Sequence, residues 1–160
     1  MHPTKNDLPG KTREHIVELL NARLADAADL YSQAKQAHWN VKGSSFIALH
    51  ELFDEVAGVV LEYVDLIAER AVQLGGLATG TVRCAAAHST LSEYPLDIVD
   101  GHEHVNALSS ALSSFGHLAR RAIDFASELG DQGTADLFTE ISRGIDKYTW
   151  FVEAHLQKDK

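Results

Sequence analysis

Between Phe46 and Leu74 two different side-chain stripes recur at helical spacing, which constrains this stretch to one long helix with something packed on each side. The first stripe is apolar and runs Leu49, Phe53, Val56, Val60, Val64, Ile67, Ala71 and Leu74. It is centred at roughly 275° around the axis, at ~100° per residue. The second lies at roughly 50° and holds His50, Asp54, Asp65 and Glu69, spaced four, eleven and four residues apart. Ile47, Gly58, Leu61 and Val72 share that second face, and a purely solvated surface would have little reason to hold apolar side chains. The helix is therefore expected to bury one face in a bundle core and the other between subunits.

Imidazole with carboxylate is a borderline ligand mixture, which suits iron or zinc better than the all-oxygen cage of calcium. One more histidine, His38, precedes His50 by twelve residues. At ~1.5 Å of rise per residue, His50 and Asp65 stand on the order of 22 Å apart along the helix, so they cannot share an ion within one copy. An antiparallel copy related by a two-fold axis would bring His50 and Asp54 of one chain opposite Asp65 and Glu69 of the other. A metal centre built this way exists only in a dimer or a larger assembly.

The rest of the chain reads as helices. Ile16, Leu20, Leu24, Ala27 and Tyr31 recur at helical spacing up to about Asn40, where Gly43 stops the helix and Ser44 or Ser45 can cap the next. Leu77 to Pro95 is a connection with a short helical candidate at Val82 to Ala87, long enough to cross the bundle. Asp100 and Glu103 form an Asp variant of the capping box and open a helix carrying Val105, Leu108, Leu112, Phe115, Ala119, Ala122 and Phe125. After a turn at Gly130 to Gly133, a last helix runs from about Thr134 to Leu156. The expected fold is all-α, a four-helix bundle with a short helix in the long crossover between the second and third long helices. A di-iron site in the core of such a bundle needs Glu-x-x-His on two helices. The last two helices here have none.

With 160 residues, 45% of them hydrophobic, the chain can bury one core and reads as one domain. The N-terminal MHPTKNDLPGKTR lacks the apolar run of a signal peptide, and no segment reaches the ~18 apolar residues that span a bilayer. A cytoplasmic location and no membrane partner are expected. The single cysteine, Cys84, excludes an intrachain disulfide framework and reads as a packing residue. A formal charge of −9 excludes a body that binds nucleic acid over its whole surface and suits cation collection. Basic residues gather instead at the ends, with Lys5, Lys11 and Arg13 at one and Lys158 and Lys160 at the other.

The strings HWNVKGSSFIALHELFD (His38 to Asp54) and VDLIAERAVQLGGLA (Val64 to Ala78) resemble the two signature segments of the Dps family, the DNA-binding proteins from starved cells. The likeness extends through YPLDI at Tyr94 to Ile98 and DKYTWF at Asp146 to Phe151. These proteins are miniferritins. The resemblance implies a ferritin-like domain over residues 12–157, a flexible tail at 1–11, and a hollow homododecamer with ferroxidase centres at its two-fold interfaces. It assigns His38, His50 and Asp54 from one subunit, and Asp65 and Glu69 from its partner, as catalytic metal ligands. The implied activity oxidises Fe2+ with hydrogen peroxide, or more slowly with dioxygen, and stores the Fe3+ as mineral, which protects DNA. Trp39 is implied as a nearby electron donor. Asp131, Asp136 and Glu140 resemble the acidic lining of the pore through which iron enters, although Gly133 interrupts the family's aspartate run. His102, His104 and His117 are expected at the surface or at interfaces, and His88 in the crossover. DNA contact, if made, would be weak and would use the N-terminal tail. Two other readings stay open: a nucleoid-associated protein that condenses DNA, and a zinc-buffering cage without turnover.

Overall fold

A computed structural model describes residues 1–157; Lys158 and Lys160 lie outside the described residues. Five helices follow one another: α1 (Gly10–Asn40), α2 (Phe46–Gln73), α3 (Val82–His88), α4 (Gly101–Glu128) and α5 (Gln132–Glu153), with a 3-10 turn at Ala154–Leu156. No strand occurs among the described residues. Short links make α1 and α2 one hairpin, and α4 and α5 another. The hairpins meet through α1 on α4 and α2 on α5. No helix among the described residues is long and apolar enough to cross a membrane.

The core lies where the apolar stripes converge. Leu20, Leu24 and Leu30 of α1, Phe53 and Ile67 of α2, Leu108, Leu112 and Phe115 of α4, and Phe138 and Ile141 of α5 are fully buried. The whole apolar stripe of α2 is buried apart from Val64, which is partly so. Burying such aliphatic and aromatic side chains contributes ~1.5–3 kcal/mol each. That gain holds the bundle together.

Local rules place the helix ends. Asp100 and Glu103 close the capping box, with Asp100 Oδ1 accepting from the His102 amide at 2.8 Å and Glu103 Oε2 from the Asp100 amide at 3.2 Å. Ser45 stands at the N-cap of α2 but makes no side-chain bond there. The turn closes instead through the Phe46 amide on the Gly43 carbonyl, with Gly43 at φ 111°. α5 begins at Gln132, earlier than Thr134, because Asp131 serves as its N-cap.

The crossover is pinned to α1 by Asp26, Asp29 and Gln33. Asp26, wholly buried, accepts from Arg23 at 2.8 Å and from the Thr90 amide at 2.6 Å. Asp29 accepts from the Ser89 hydroxyl at 2.6 Å, and Gln33 donates to the Ser92 carbonyl at 3.0 Å. A buried carboxylate is tolerated when its lone pairs are filled this way.

The N-terminal segment, expected as a free tail, lies against the end of α2. The His2 amide donates to the Gly75 carbonyl at 2.6 Å, and Arg13 reaches the Leu74 carbonyl at 3.0 Å and the Leu8 carbonyl at 3.1 Å. The bonds to Leu74 and Gly75 take up carbonyls that the C-terminus of α2 leaves unpaired. Gly75 has φ 82°, and a Cβ there would come within 2.6 Å of the His2 carbonyl oxygen, so only glycine suits the position.

His104 departs from its expected surface position. It is 1% exposed, because it faces inward on α4 beneath Tyr94, whose hydroxyl lies 2.7 Å from Nδ1. Burial keeps the Tyr94 phenol protonated, so it donates to Nδ1 and leaves the ring proton on Nε2, which has no partner among the described residues. Burial also lowers the His104 pKa, against the opposing pull of Glu103 and Asp100. The unfolded chain then takes up this proton first, so stability should fall as pH drops from about 6.5 towards the lower folded value. Urea midpoints at pH 8 and pH 5.5 should show an excess acid loss that His104→Gln removes. An equal loss in both proteins would place the sensitivity elsewhere.

Candidate metal centre

The last turns of α1 carry Lys35, His38 and Trp39, and the first turns of α2 carry His50 and Asp54. The tight link at residues 41–45 folds these two ends together. His38 Nδ1 lies 2.7 Å from the His50 carbonyl, and His50 Nδ1 lies 2.8 Å from the His38 carbonyl. The rings stack with centroids 3.8 Å apart and planes 22° from parallel. A carbonyl only accepts, so both Nδ1 atoms carry their hydrogens and both Nε2 atoms keep a free lone pair. Fixing a histidine's tautomer through a backbone carbonyl is how proteins orient imidazoles for metal.

Asp54 stands beside them, 56% exposed, with Oδ1 4.0 Å from His38 Nδ1. The same oxygen is 2.6 Å from the Lys35 ammonium. That hydrogen bond holds the Asp54 carboxyl below its ordinary pKa, with desolvation opposing and the charges of Lys35, His38 and His50 assisting. The Lys35 ammonium also lies 5.6 Å from the centre of the Trp39 ring, and Trp39 is exposed. Lys35 was not among the residues singled out from the sequence. Its only signal is a position three before His38, one turn back on the same face of α1.

Asp65 and Glu69 are exposed further along the same face of α2, with Asp65 roughly 16 Å of helix rise beyond Asp54. Among the described residues no ion pair engages either carboxylate. Nor do any three His, Cys, Asp or Glu side chains gather closely enough to hold an ion. Ile47, Leu61 and Val72 lie open on this face at 61%, 49% and 57% exposure, and Gly58 between them has nothing within 4 Å of where a Cβ would stand. An apolar strip with a flat glycine at its centre is what a second helix could approach closely.

Arg70, next to Glu69, turns towards α5. It donates to Asp131 Oδ1 at 2.7 Å and to the Thr134 hydroxyl at 3.0 Å. Asp131 is 2% exposed and also accepts from the Thr134 amide at 3.0 Å and the Thr134 hydroxyl at 2.5 Å. Within the chain the Asp131 carboxylate therefore caps α5 and pairs Arg70. Asp136 and Glu140 remain exposed, one turn apart on α5. The break at Gly133 has a local reason: a Cβ there would press on the Arg70 guanidinium at 3.0 Å. His102 and His117 are exposed, as is His88, whose Nδ1 bonds its own helix at the Cys84 carbonyl, 2.9 Å away.

Comparison with known proteins gives concordant likenesses. The model of the ferritin-like domain matches residues 17–160. A DNA protection during starvation protein of Agrobacterium fabrum is 45% identical over 157 residues, covering 98% of this chain and 97% of the relative. Among solved structures, the tetragonal form of Mycobacterium smegmatis Dps superposes with a TM-score of 0.92 at 30% identity, over 98% of this chain and 95% of that one. A Dps protein of Vibrio cholerae O1, described as belonging to a broad superfamily of ferritin-like diiron-carboxylate proteins, gives 0.90 at 26% identity, over 98% of both chains.

Proposed function

The chain belongs to the ferritin-like domain family and, within it, to the Dps family, and from that premise we propose that it is a ferroxidase that stores iron. The observation that carries this reading is the His38–His50 exchange, which leaves two imidazole Nε2 atoms free beside a carboxylate at one end of α2. Asp65 and Glu69, exposed at the other end, complete a donor set for iron when a second copy lies antiparallel across the two-fold axis. The exposed apolar side chains Ile47, Leu61 and Val72 are then covered by the same contact.

Ferrous iron is the substrate. Each two-fold interface would hold two centres, each with His38, His50 and Asp54 from one subunit and Asp65 and Glu69 from the other, Glu69 being placed to bridge two ions. Five side chains cannot saturate two ions that take about six ligands each, so positions stay open for the oxidant. Two ferrous ions give one electron each to hydrogen peroxide, the O–O bond breaks, and both oxygens leave as water or hydroxide. Because both electrons arrive together, no hydroxyl radical is released. The Fe3+ hydrolyses, sheds protons and accumulates as mineral inside a homododecamer. Dioxygen serves as the slower oxidant, Trp39 donates a stray electron when only one ion is present, and Asp136 and Glu140 draw Fe2+ in. Such a particle works in the cytoplasm.

The docked N-terminus favours iron chemistry over nucleoid condensation as the main role. With His2 tied to Gly75, Lys5 and Lys11 are surface charges on an acidic body rather than charges on a free arm. DNA contact through that segment, or association with the nucleoid, is then secondary and salt-sensitive. Stopped-flow absorbance separates the ferroxidase from the zinc cage. Anaerobic loading with Fe2+ followed by peroxide should give ferric absorbance faster than a protein-free control, slowed by added Zn2+. Zinc binding without any such acceleration would leave only the buffering reading.

A further inference from the structure

We propose that the groove between the crossover and α4 is a binding site for a small organic cation, an ammonium on a short apolar stem. The inference is independent of the metal centre. Two contacts hold the crossover here: Gln33 of α1 donates to the Ser92 carbonyl at 3.0 Å, and the Tyr94 hydroxyl meets His104 of α4 at 2.7 Å. Beside them α4 lines the gap with Ala107, Ser110, Ala111 and Ser114, which are too short to fill it. A cavity of about 350 Å³ remains, within the size range of small-molecule sites.

One buried group in its wall is left unanswered. Gln33 is 5% exposed, and its Nε2 hydrogens are both spent, on Asp29 at 3.2 Å and on the Ser92 carbonyl at 3.0 Å. Two acceptors on one atom fix which end of the amide is nitrogen. Oε1 accepts from nothing among the described residues, where only His104 Nε2 is both unpartnered and sealed from solvent. The Gln33 oxygen therefore opens on the cavity that Gln33 lines, and buried acceptors are normally filled.

The charges around that oxygen select its donor. Glu93 of the crossover and Glu103 of α4 stand one on each wall, and no lysine or arginine lines the cavity. Glu103 spends Oε2 on the Val99 and Asp100 amides, while Glu93 has no ion pair among the described residues. An anion is repelled here. A metal ion finds too few ligands, since no three His, Cys, Asp or Glu side chains gather closely enough to hold one. An ammonium offers hydrogens to Oε1, charge to the two carboxylates and a cation for the Tyr94 ring, and Pro95 and Ile98 of the same wall cover its stem.

The assembled, iron-free protein is titrated with 2-phenylethylamine by calorimetry in an amine-free buffer. Wild type should bind one molecule per chain and saturate, whereas the isosteric alcohol 2-phenylethanol and the anion phenylacetate should bind about tenfold more weakly or worse. Ser110→Phe, which fills the groove from an exposed position of α4, should weaken the amine about tenfold or more, and Ala107→Leu should repeat this if the phenylalanine variant assembles poorly. Glu93→Gln should weaken it about threefold or more, while Asp124→Asn, the same change of charge at the far end of α4, should leave it within about twofold. Heat that never saturates, or that Asp124→Asn lowers as much as Glu93→Gln, reports attraction to the acidic body at large and overturns the site. Wild-type affinity in the filled variants overturns it equally.

Discussion

Replacing Asp65 and Glu69 together with alanine is expected to abolish rapid iron oxidation in a particle that still assembles. These two residues supply two of the three carboxylates in the proposed donor set. Loss of a single supporting group around a metal typically costs ~10–100-fold, so removing two direct ligands should lower the initial peroxide-driven rate by about 100-fold or more. Assembly should survive, because neither carboxylate has an ion-pair partner among the described residues. Bringing unpaired charges to a subunit interface costs desolvation, so the alanine variant should melt at the wild-type temperature or above it. Stopped-flow absorbance gives the rate, and size-exclusion chromatography with thermal melting gives the assembly. A wild-type rate would sink the ligand assignment, whereas loss of the particle would show that the carboxylates hold the interface.

Most of the fold was legible in the sequence because it follows local periodicity. The two stripes of α2, the short helix at Val82 and the Asp100–Glu103 capping box all depend on residues within a few positions of one another, which spacing rules can see. His38 and His50 flank a short link, and the fold stacks their rings at the α1–α2 corner; their part in a metal site is the reading proposed above. What escaped notice depends on contacts distant in sequence. Asp131 looked like a free acid in a first helical turn, but its partner Arg70 lies 61 residues away. His104 looked like one of several polar residues on α4, and only the folding back of Tyr94 turns it into a buried group. The N-terminal basic residues looked like a loose arm until Gly75, on a different helix end, accepted the His2 amide. Lys35 was hidden differently. A lysine one turn before a ligand is ordinary, and it gains meaning only because Asp54 reaches across from α2 to meet it.

Complementation between two dead variants tests the shared site most directly. Subunits carrying His38→Ala/His50→Ala retain the carboxylate half, and subunits carrying Asp65→Ala/Glu69→Ala retain the imidazole half. Each particle made from one variant alone should be inactive. At a two-fold axis where the two kinds meet, one site receives both intact halves and the other receives both damaged ones. Random mixing makes about half of the two-folds hybrid, and half of the sites at each hybrid are whole, so co-refolded particles should recover about a quarter of wild-type oxidation. The number matters more than the recovery itself. A site contained in one chain could never be rebuilt by mixing, since every subunit would still carry its own damage. Recovery well above a quarter would mean that hybrid contacts form preferentially, and mass analysis of the mixed particles would show it. If mixing restores oxidation, the ~22 Å that separates His50 from Asp65 along one straight helix becomes a functional requirement, because the helix is too long to bring the proposed ligands together within one chain.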